Sequence, residues 1–387
     1  MSGFFTHEFF VDPYPTYEEL RGEPVRWEEE LEGWVLTGYA EVAAALADPR
    51  VSRGGGPQDG DLLRRLLTRM MLFTDPPDHT RLRGLANRAF TPSRVEALRP
   101  RIAAIVDEQL AEVDEGEWDL IEGLAYPLPV MVIAEILSLP SADRALFRRW
   151  SDDVIAVAAG VGDDPERRER ALRSAHALAD YFAALVAELK AHPNDTLLSG
   201  LVEAETEGTR LTGEELLANA ILLLMNGHET TTFAIGNGVL ALLEHGEQRA
   251  RLRDEPSLIP VAVEEILRYD GSGQMRGVSA GDDLAFDGTE IRAGETLWLA
   301  IGATGRDPRR FPEPTYFDIG RSPNRHLQFG LGPHFCLGAA LARAEIQTAL
   351  AGLLAGFRRI ELATHEIRWH EIAVFRGPKA VPLALRR

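Results

Sequence analysis

The 387-residue sequence contains one cysteine, Cys336, and only two lysines, Lys190 and Lys379, among its 41 basic residues. A single thiol cannot form an intramolecular disulfide, so oxidative cross-linking within the chain is excluded. Positive charge is not in excess either: 60 acidic residues leave a formal net charge of -19. Because phosphate neutralisation needs a basic surface, no nucleic-acid partner is expected. Long apolar runs are missing as well. The mid-chain run 220–225 (AILLLM) falls far short of the roughly 20 residues that span a bilayer. The N-terminal segment has neither the basic region nor the apolar region of a secretory leader. The expectation is a cytoplasmic protein with no membrane contact. What is present is ordinary for a globular chain, 45% hydrophobic and 26% charged, which excludes disorder as the main state and allows a large core. The preference for arginine over lysine carries no functional conclusion.

Periodicity predicts a short helix over 14–20, a hairpin over 25–36 turning at Glu32-Gly33, and a helix over 40–47. Residues 50–60, with three consecutive glycines, are a loop, either a plain surface loop or a lid over a pocket. From 77 to 190 the chain reads as helices. Ser93 is placed as the cap of a segment carrying Val95, Leu98, Ile102, Ile105, Val106, Leu110 and Val113, and 160–165 is the turn before a helix over 165–190. Thr212-Gly-Glu-Glu215 fits a capping box, followed by a helix to about 244 that would run roughly 48 Å. A helix over 255–269, strands within 281–300 with turns at Asp287-Gly288 and Ala293-Gly294, an irregular stretch over 306–321, a helix over 337–357 and short tail strands complete the reading. There is no fixed-period repeat. The fold class is mainly α with small β-sheets, in one domain over 1–387. Its β-rich part lies at about 13–50 and its helical core at about 77–270 and 337–357.

The most informative segment is Phe329-Gly330-Leu331-Gly332-Pro333-His334-Phe335-Cys336-Leu337-Gly338. Glycines before the cysteine let backbone approach a bulky flat ligand, and Gly338 lets the following helix start pack closely. A helix N-terminus just after the cysteine favours thiolate over thiol. Such a thiolate can ligate haem iron, where its electron donation favours O–O cleavage. The plain alternative is a buried, inert cysteine. This F-G-x-G-x-H-x-C-x-G segment resembles the haem-binding loop of the cytochrome P450 family.

The long helix reads Met225-Asn226-Gly227-His228-Glu229-Thr230-Thr231-Thr232 at its centre. Gly227 lets a flat ligand approach, Thr230 can bond a carbonyl of the preceding turn and open the helix locally, and Glu229 is a candidate proton source. The alternative is a kink with a solvated Glu and packed threonines. A zinc H-E-x-x-H is excluded because position 232 is Thr, and Gly236-Asn-Gly238 lies inside a helix, not after a strand. In the family this helix crosses the distal haem face with a glycine and an acid–alcohol pair, which Gly227, Glu229 and Thr230 match. Asn226 departs from the small residue usual there.

The resemblance implies further roles. Glu265-Ile-Leu-Arg268 and Arg321 correspond to a buried structural triad, although an E-x-x-R alone is usually a surface pair. His79 and Arg83, one helical turn apart, together with Arg276 and His334, correspond to groups that hold the haem propionates; on spacing alone His79 and Arg83 are a solvated helix start. Phe329, Gly330, Cys336 and Gly338 belong to the same cofactor set, with Cys336 as metal ligand. Leu222, Asn226, Gln274, Met275 and Val374 are expected along the substrate pocket. The cofactor implied is haem b, with O2 as co-substrate and the haem between the long helix and the cysteine loop. The fold implied is the single-domain P450 fold. Gly305 stands where the family often has Asn.

Arg64, Arg65, Arg69, Arg81, Arg83, Arg88, Arg94, Arg99 and Arg101 dominate 64–101, and Arg325 and Arg343 lie near the cysteine loop. They form either a docking face for an acidic ferredoxin-type donor or a set of ion pairs with acids elsewhere. The expected function is a haem-thiolate monooxygenase that acts as a monomer on a moderately apolar small molecule, with electrons from a separate ferredoxin and ferredoxin reductase. A peroxide-driven haem peroxygenase and a non-catalytic haem-binding gas sensor or carrier remain the alternatives.

Overall fold

The computed structural model describes residues 3–54, 60–87, 90–137, 139–140, 143–158, 164–194, 196–206 and 211–387. Its chain forms two interleaved compact units. The first comprises Met1–Ser52, Leu98–Leu128 and Thr230–Arg387, and the second comprises Arg53–Ala97 and Pro129–Glu229.

The first unit holds all the strands among the described residues: β1 Val25–Glu28, β2 Gly33–Leu36, β3 Val51–Ser52, β4 Gly116–Asp119, β5 Arg276–Ala280, β6 Leu284–Phe286, β7 Thr289–Ile291, β8 Thr296–Leu299, β9 Arg359–Leu362 and β10 Pro382–Arg386. The predicted first hairpin forms, pairing Val25 with Leu36 and Glu28 with Gly33, and Glu32 takes the left-handed conformation (φ 45°) that reverses the chain. It is the edge of a five-stranded sheet ordered β1-β2-β8-β5-β3. Leu36, Val278, Leu297 and Leu299 from that sheet pack with Val42, Ala45 and Leu46 of the helix Tyr39–Ala47 into one apolar core. The predicted turn at Asp287-Gly288 joins β6 to β7, with both residues at positive φ as a tight two-residue hairpin requires. Three strands lie outside the predicted ones: β3 falls within the 50–60 segment read as a loop, and the others are β4 and β5. β5 begins five residues before the strand-rich segment, and β4 interrupts the region read as helical. β4 pairs with β10, which also pairs with β9, giving the order β4-β10-β9.

Helices make up the rest. Ile259–Asp270 and Ala339–Gly356 lie in the first unit. Pro92–Ala111 forms, and Val95, Ile102, Ile105, Val106, Leu110 and Val113 are buried as their spacing predicts. Its cap is Thr91, whose Oγ1 accepts the Arg94 N–H at 3.3 Å; Ser93 is already inside the first turn. In the second unit, Pro165–Ala191 starts behind Asp164, which accepts the N–H groups of Glu166 and Arg167, and it buries Leu178, Phe182 and Leu189. The long helix Gly213–Glu244 opens with the predicted capping box: Glu215 N–H donates to Thr212 Oγ1 at 3.3 Å and Thr212 N–H donates to Glu215 Oε2 at 2.8 Å. It stays helical through Thr230, so the predicted local opening is not seen. Within the 160–165 turn and the 50–60 loop, residues 160–163 and 55–59 lie outside the described ones, as does Arg88. No helix among the described residues is long and apolar enough to cross a membrane.

Candidate active site

The cysteine loop belongs to the first unit. Cys336 N–H donates to the Phe329 carbonyl at 2.8 Å, and Gly330 N–H donates to Leu327 O at 2.8 Å, closing the loop on itself. Gly330 and Gly332 sit at φ 70° and 72°, a left-handed conformation that L side chains rarely adopt. Leu331, Phe335 and Cys336 are exposed, while Phe329 and His334 are half-buried. Gly338 caps the helix Ala339–Gly356 without a side-chain bond. A Cβ there would meet no protein atom within 4 Å, so no neighbouring protein element requires the glycine that was predicted to allow close packing.

The compact units divide the long helix between Glu229 and Thr230. On the Glu229 side, the space that a side chain on Gly227 would need is already taken by Ile133, 2.8 Å from its Cβ position, so this glycine serves helix packing. His228 is buried with Nδ1 2.8 Å from Leu224 O, and burial pushes its pKa down to about 4, so it is a neutral core residue. Glu229 is half-buried, and its Oε2 has no hydrogen-bond partner among the described residues. Desolvation, then the negative charge of Asp152, raises its carboxyl to about 8 against the pull of Arg148. Desolvation also lifts Asp152 to about 6, with Arg148 opposing and Asp153 adding to the rise. On the Thr230 side, Thr231 is buried against Glu345 of the helix Ala339–Gly356, and burial pushes that carboxyl well above its ordinary range. Asp152, Arg148 and Glu345 escaped the sequence reading because each meets the long helix from a segment remote in the chain.

In the second unit His79 is buried near the start of the helix Asp78–Asn87. Desolvation, then the Arg83 and Arg53 charges, lowers its pKa, with Asp75 opposing. The imidazole thus shares its surroundings with the Arg83 and Arg53 guanidinium groups and is buried, not the solvated helix start that the spacing alone gave. Arg276 begins β5 half-buried, and desolvation lowers its pKa to about 10.

Glu265 and Arg268 are both fully buried, which overturns the surface-pair reading of their spacing. Arg268 donates to the two Glu265 oxygens at 2.7 and 2.8 Å, and Arg321 Nε reaches Glu265 at 3.2 Å. Asn324 and the Asp318 N–H complete the shell of the carboxylate at 3.0 and 2.9 Å. A Cβ on Gly305 would stand 2.1 Å from Arg268 O, which explains a glycine at this position.

The cytochrome P450 family profile matches residues 164–368. The chain is 42% identical to the cytochrome P450 monooxygenase PikC of Streptomyces venezuelae over 98% of its own length and 92% of the relative's. The chain belongs to the cytochrome P450 family. It is also 40% identical to the vitamin D(3) 25-hydroxylase of Pseudonocardia autotrophica, over 98% of this chain and 96% of that one. Among solved structures, P450BioI in complex with acyl carrier protein ligated to hexadec-9Z-enoic acid matches with a TM-score of 0.94 at 38% identity, covering 98% of this chain and 100% of that one. The P450 fold and membership among bacterial P450 monooxygenases follow, and with them a haem cofactor.

Of the residues expected along the P450 substrate pocket, Gln274 and Met275 are joined to Val374 in the first unit, their N–H groups donating to Val374 O at 3.0 and 3.4 Å. Leu222 is buried and Asn226 exposed on the long helix. Four of the nine arginines of 64–101 pair with acids among the described residues: Arg69 with Glu214 at 2.9 Å, Arg65 with Glu214 at 3.7 Å, Arg81 with Asp78 at 2.8 Å and also with Glu215, and Arg101 with Glu108 at 3.3 Å. Arg343 is held by Glu264.

Proposed function

We propose that this chain is a haem-thiolate monooxygenase that holds haem b through Cys336 and inserts one oxygen atom of O2 into a moderately apolar small organic molecule. The observation that carries this reading is the cysteine loop: an exposed thiol just before a helix N-terminus, behind two left-handed glycines, with its backbone tied to Phe329. The donor set fits the cofactor. A thiolate suits iron, and a buried imidazole beside two guanidiniums suits carboxylates such as the propionates, with Arg276 and His334 as further donors. When bound, haem supplies the oxygen activation and transfer that no side chain can perform. Cys336 donates electron density to the metal. Glu229, its carboxyl raised to about 8, carries a proton at neutral pH, and the adjacent Thr230 hydroxyl orients water to pass that proton on. Glu265, Arg268 and Arg321 serve the fold alone.

Leu222, Asn226, Gln274, Met275 and Val374 bound the substrate in this reading. The relatives named for vitamin D(3) and solved with a fatty acyl group support an apolar substrate class. Electrons come from a separate ferredoxin-type donor and its reductase, and the reaction takes place in the cytoplasm. The deciding experiment replaces Cys336 with Ser. The parent should give the carbon-monoxide-shifted Soret band of a haem thiolate after reduction, and Cys336→Ser should lose it. An unchanged band in the variant overturns the reading. Turnover with NADH, ferredoxin and reductase, set against peroxide alone, distinguishes the monooxygenase from a peroxygenase.

A further inference from the structure

Glu264 and Glu265 are neighbours on the helix Ile259–Asp270, yet they serve different networks. Glu265 faces Arg268 and Arg321, whereas Glu264 turns to Arg343, in the second turn of the helix that follows Cys336. Arg343 Nε and Nη2 donate to the two Glu264 oxygens at 2.6 and 2.8 Å, a two-pronged fit. The same guanidinium lies over the ring of Phe329, 4.3 Å from its centroid. His326 Nε2 also reaches Glu264 Oε2, at 3.2 Å, and its Nδ1 accepts the Gln328 N–H at 3.2 Å. The His326 and Phe329 rings are 5.8 Å apart. One carboxylate therefore holds a residue before the loop, His326, and a residue after it, Arg343. Phe329 is also the residue whose carbonyl accepts the Cys336 N–H.

We infer that the Glu264–Arg343 pair is a positioning brace for the thiolate: it clamps Phe329, and Phe329 fixes the backbone that aims the Cys336 sulfur. The inference rests on the assignment of Cys336 as the iron ligand. It also assigns Arg343 a task other than docking an electron donor. Burial works to raise the Glu264 carboxyl, but bonds from Arg343 and His326 outweigh it and hold the group at about 2, so the brace stays charged across the working pH range. Outer partners of this type set the orientation and basicity of a metal ligand.

The test uses the haem-loaded protein with Glu264→Gln, Arg343→Gln, Arg343→Lys and the double variant Glu264→Gln/Arg343→Gln. The readouts are the Soret band of the reduced carbon monoxide complex, the midpoint potential of the iron, and the melting temperature. Each single variant should shift the potential in the same direction and convert the thiolate band to the protonated-thiol band roughly tenfold faster than the parent. The double variant should be no worse than the worse single, because both substitutions break one unit. Arg343→Lys keeps the charge but loses the fork and the stacking, so it should behave like Arg343→Gln. A docking cation predicts the opposite: a normal spectrum and potential throughout, with only Arg343→Gln weakening donor binding. That pattern, or additive effects in the double variant, overturns the brace. If Arg343→Gln yields too little folded protein, Arg343→Lys and Glu264→Gln decide the matter alone. A parent without the thiolate band would refute the Cys336 assignment instead.

Discussion

Two carboxylates withdrawn from water illustrate opposite uses of burial. Glu265 is fully buried and saturated, receiving two guanidiniums, an amide and a backbone N–H. Glu229 is half-buried, with one oxygen that has no partner among the described residues and an acid, Asp152, as the strongest charge acting on it. The first environment spends every lone pair on holding distant segments together. The second leaves a carboxyl that keeps its proton at neutral pH and has a free oxygen to use it with. Burial with donors builds structure, and burial without donors stores a proton.

The sharpest way to break this contrast is Glu265→Gln. Arg268 and Arg321 would lose their counter-charge, and stability should fall by about 3–5 kcal/mol in denaturant unfolding. Glu229→Gln should fold normally yet lower product per oxygen consumed about 10²-fold, because an amide cannot deliver the proton. A stability loss like that of Glu265→Gln, with coupling intact, would erase the distinction.

The pH dependence sharpens it further. The folded-state pKa of Glu229, about 8, lies above its ordinary 4.5, so its contribution to stability is complete below about 4.5 and is lost as pH rises through about 8. The parent should lose stability across that window at up to about 1.4 kcal/mol per pH unit from this group, and Glu229→Gln should flatten the curve. Thr212→Ala removes a cap at the start of the same helix and should cost about 1 kcal/mol without altering coupling. At the far end of the scale, Arg292 pairs with Asp283 and Glu290 in full exposure, and Arg292→Ala should change stability by less than about 0.5 kcal/mol.

What could be read from the sequence followed from how local its cause was. The capping box, the hairpin turn at Asp287-Gly288 and the apolar stripe of Pro92–Ala111 all arise from residues within a turn or two of each other, and each formed as predicted. β4 has no such local signature. Gly-Glu-Trp-Asp is a strand because β10, more than 260 residues later, supplies its hydrogen bonds. The Thr91 cap was missed by two positions because Thr91 and Ser93 are both competent caps, and only the backbone turn selects one of them. The site shows the same division. Cys336, its glycines, Glu229 and the Glu265–Arg268 pair were visible as motifs. Asp152, Arg148, Glu264 and Glu345 act across elements, and no spacing rule reaches them. Gly227 teaches a different lesson: Ile133 already accounts for its missing side chain, whatever else the motif implies.

The order β4-β10-β9 has a consequence for biosynthesis. Pro382–Arg386 is the middle strand of its sheet, so two strands translated earlier wait unpaired until this segment clears the ribosome. A nascent chain stalled just short of it would present two bare ladders side by side to chaperones and to its neighbours on the polysome. A nonsense lesion before Pro382 would leave both ladders without the strand that joins them.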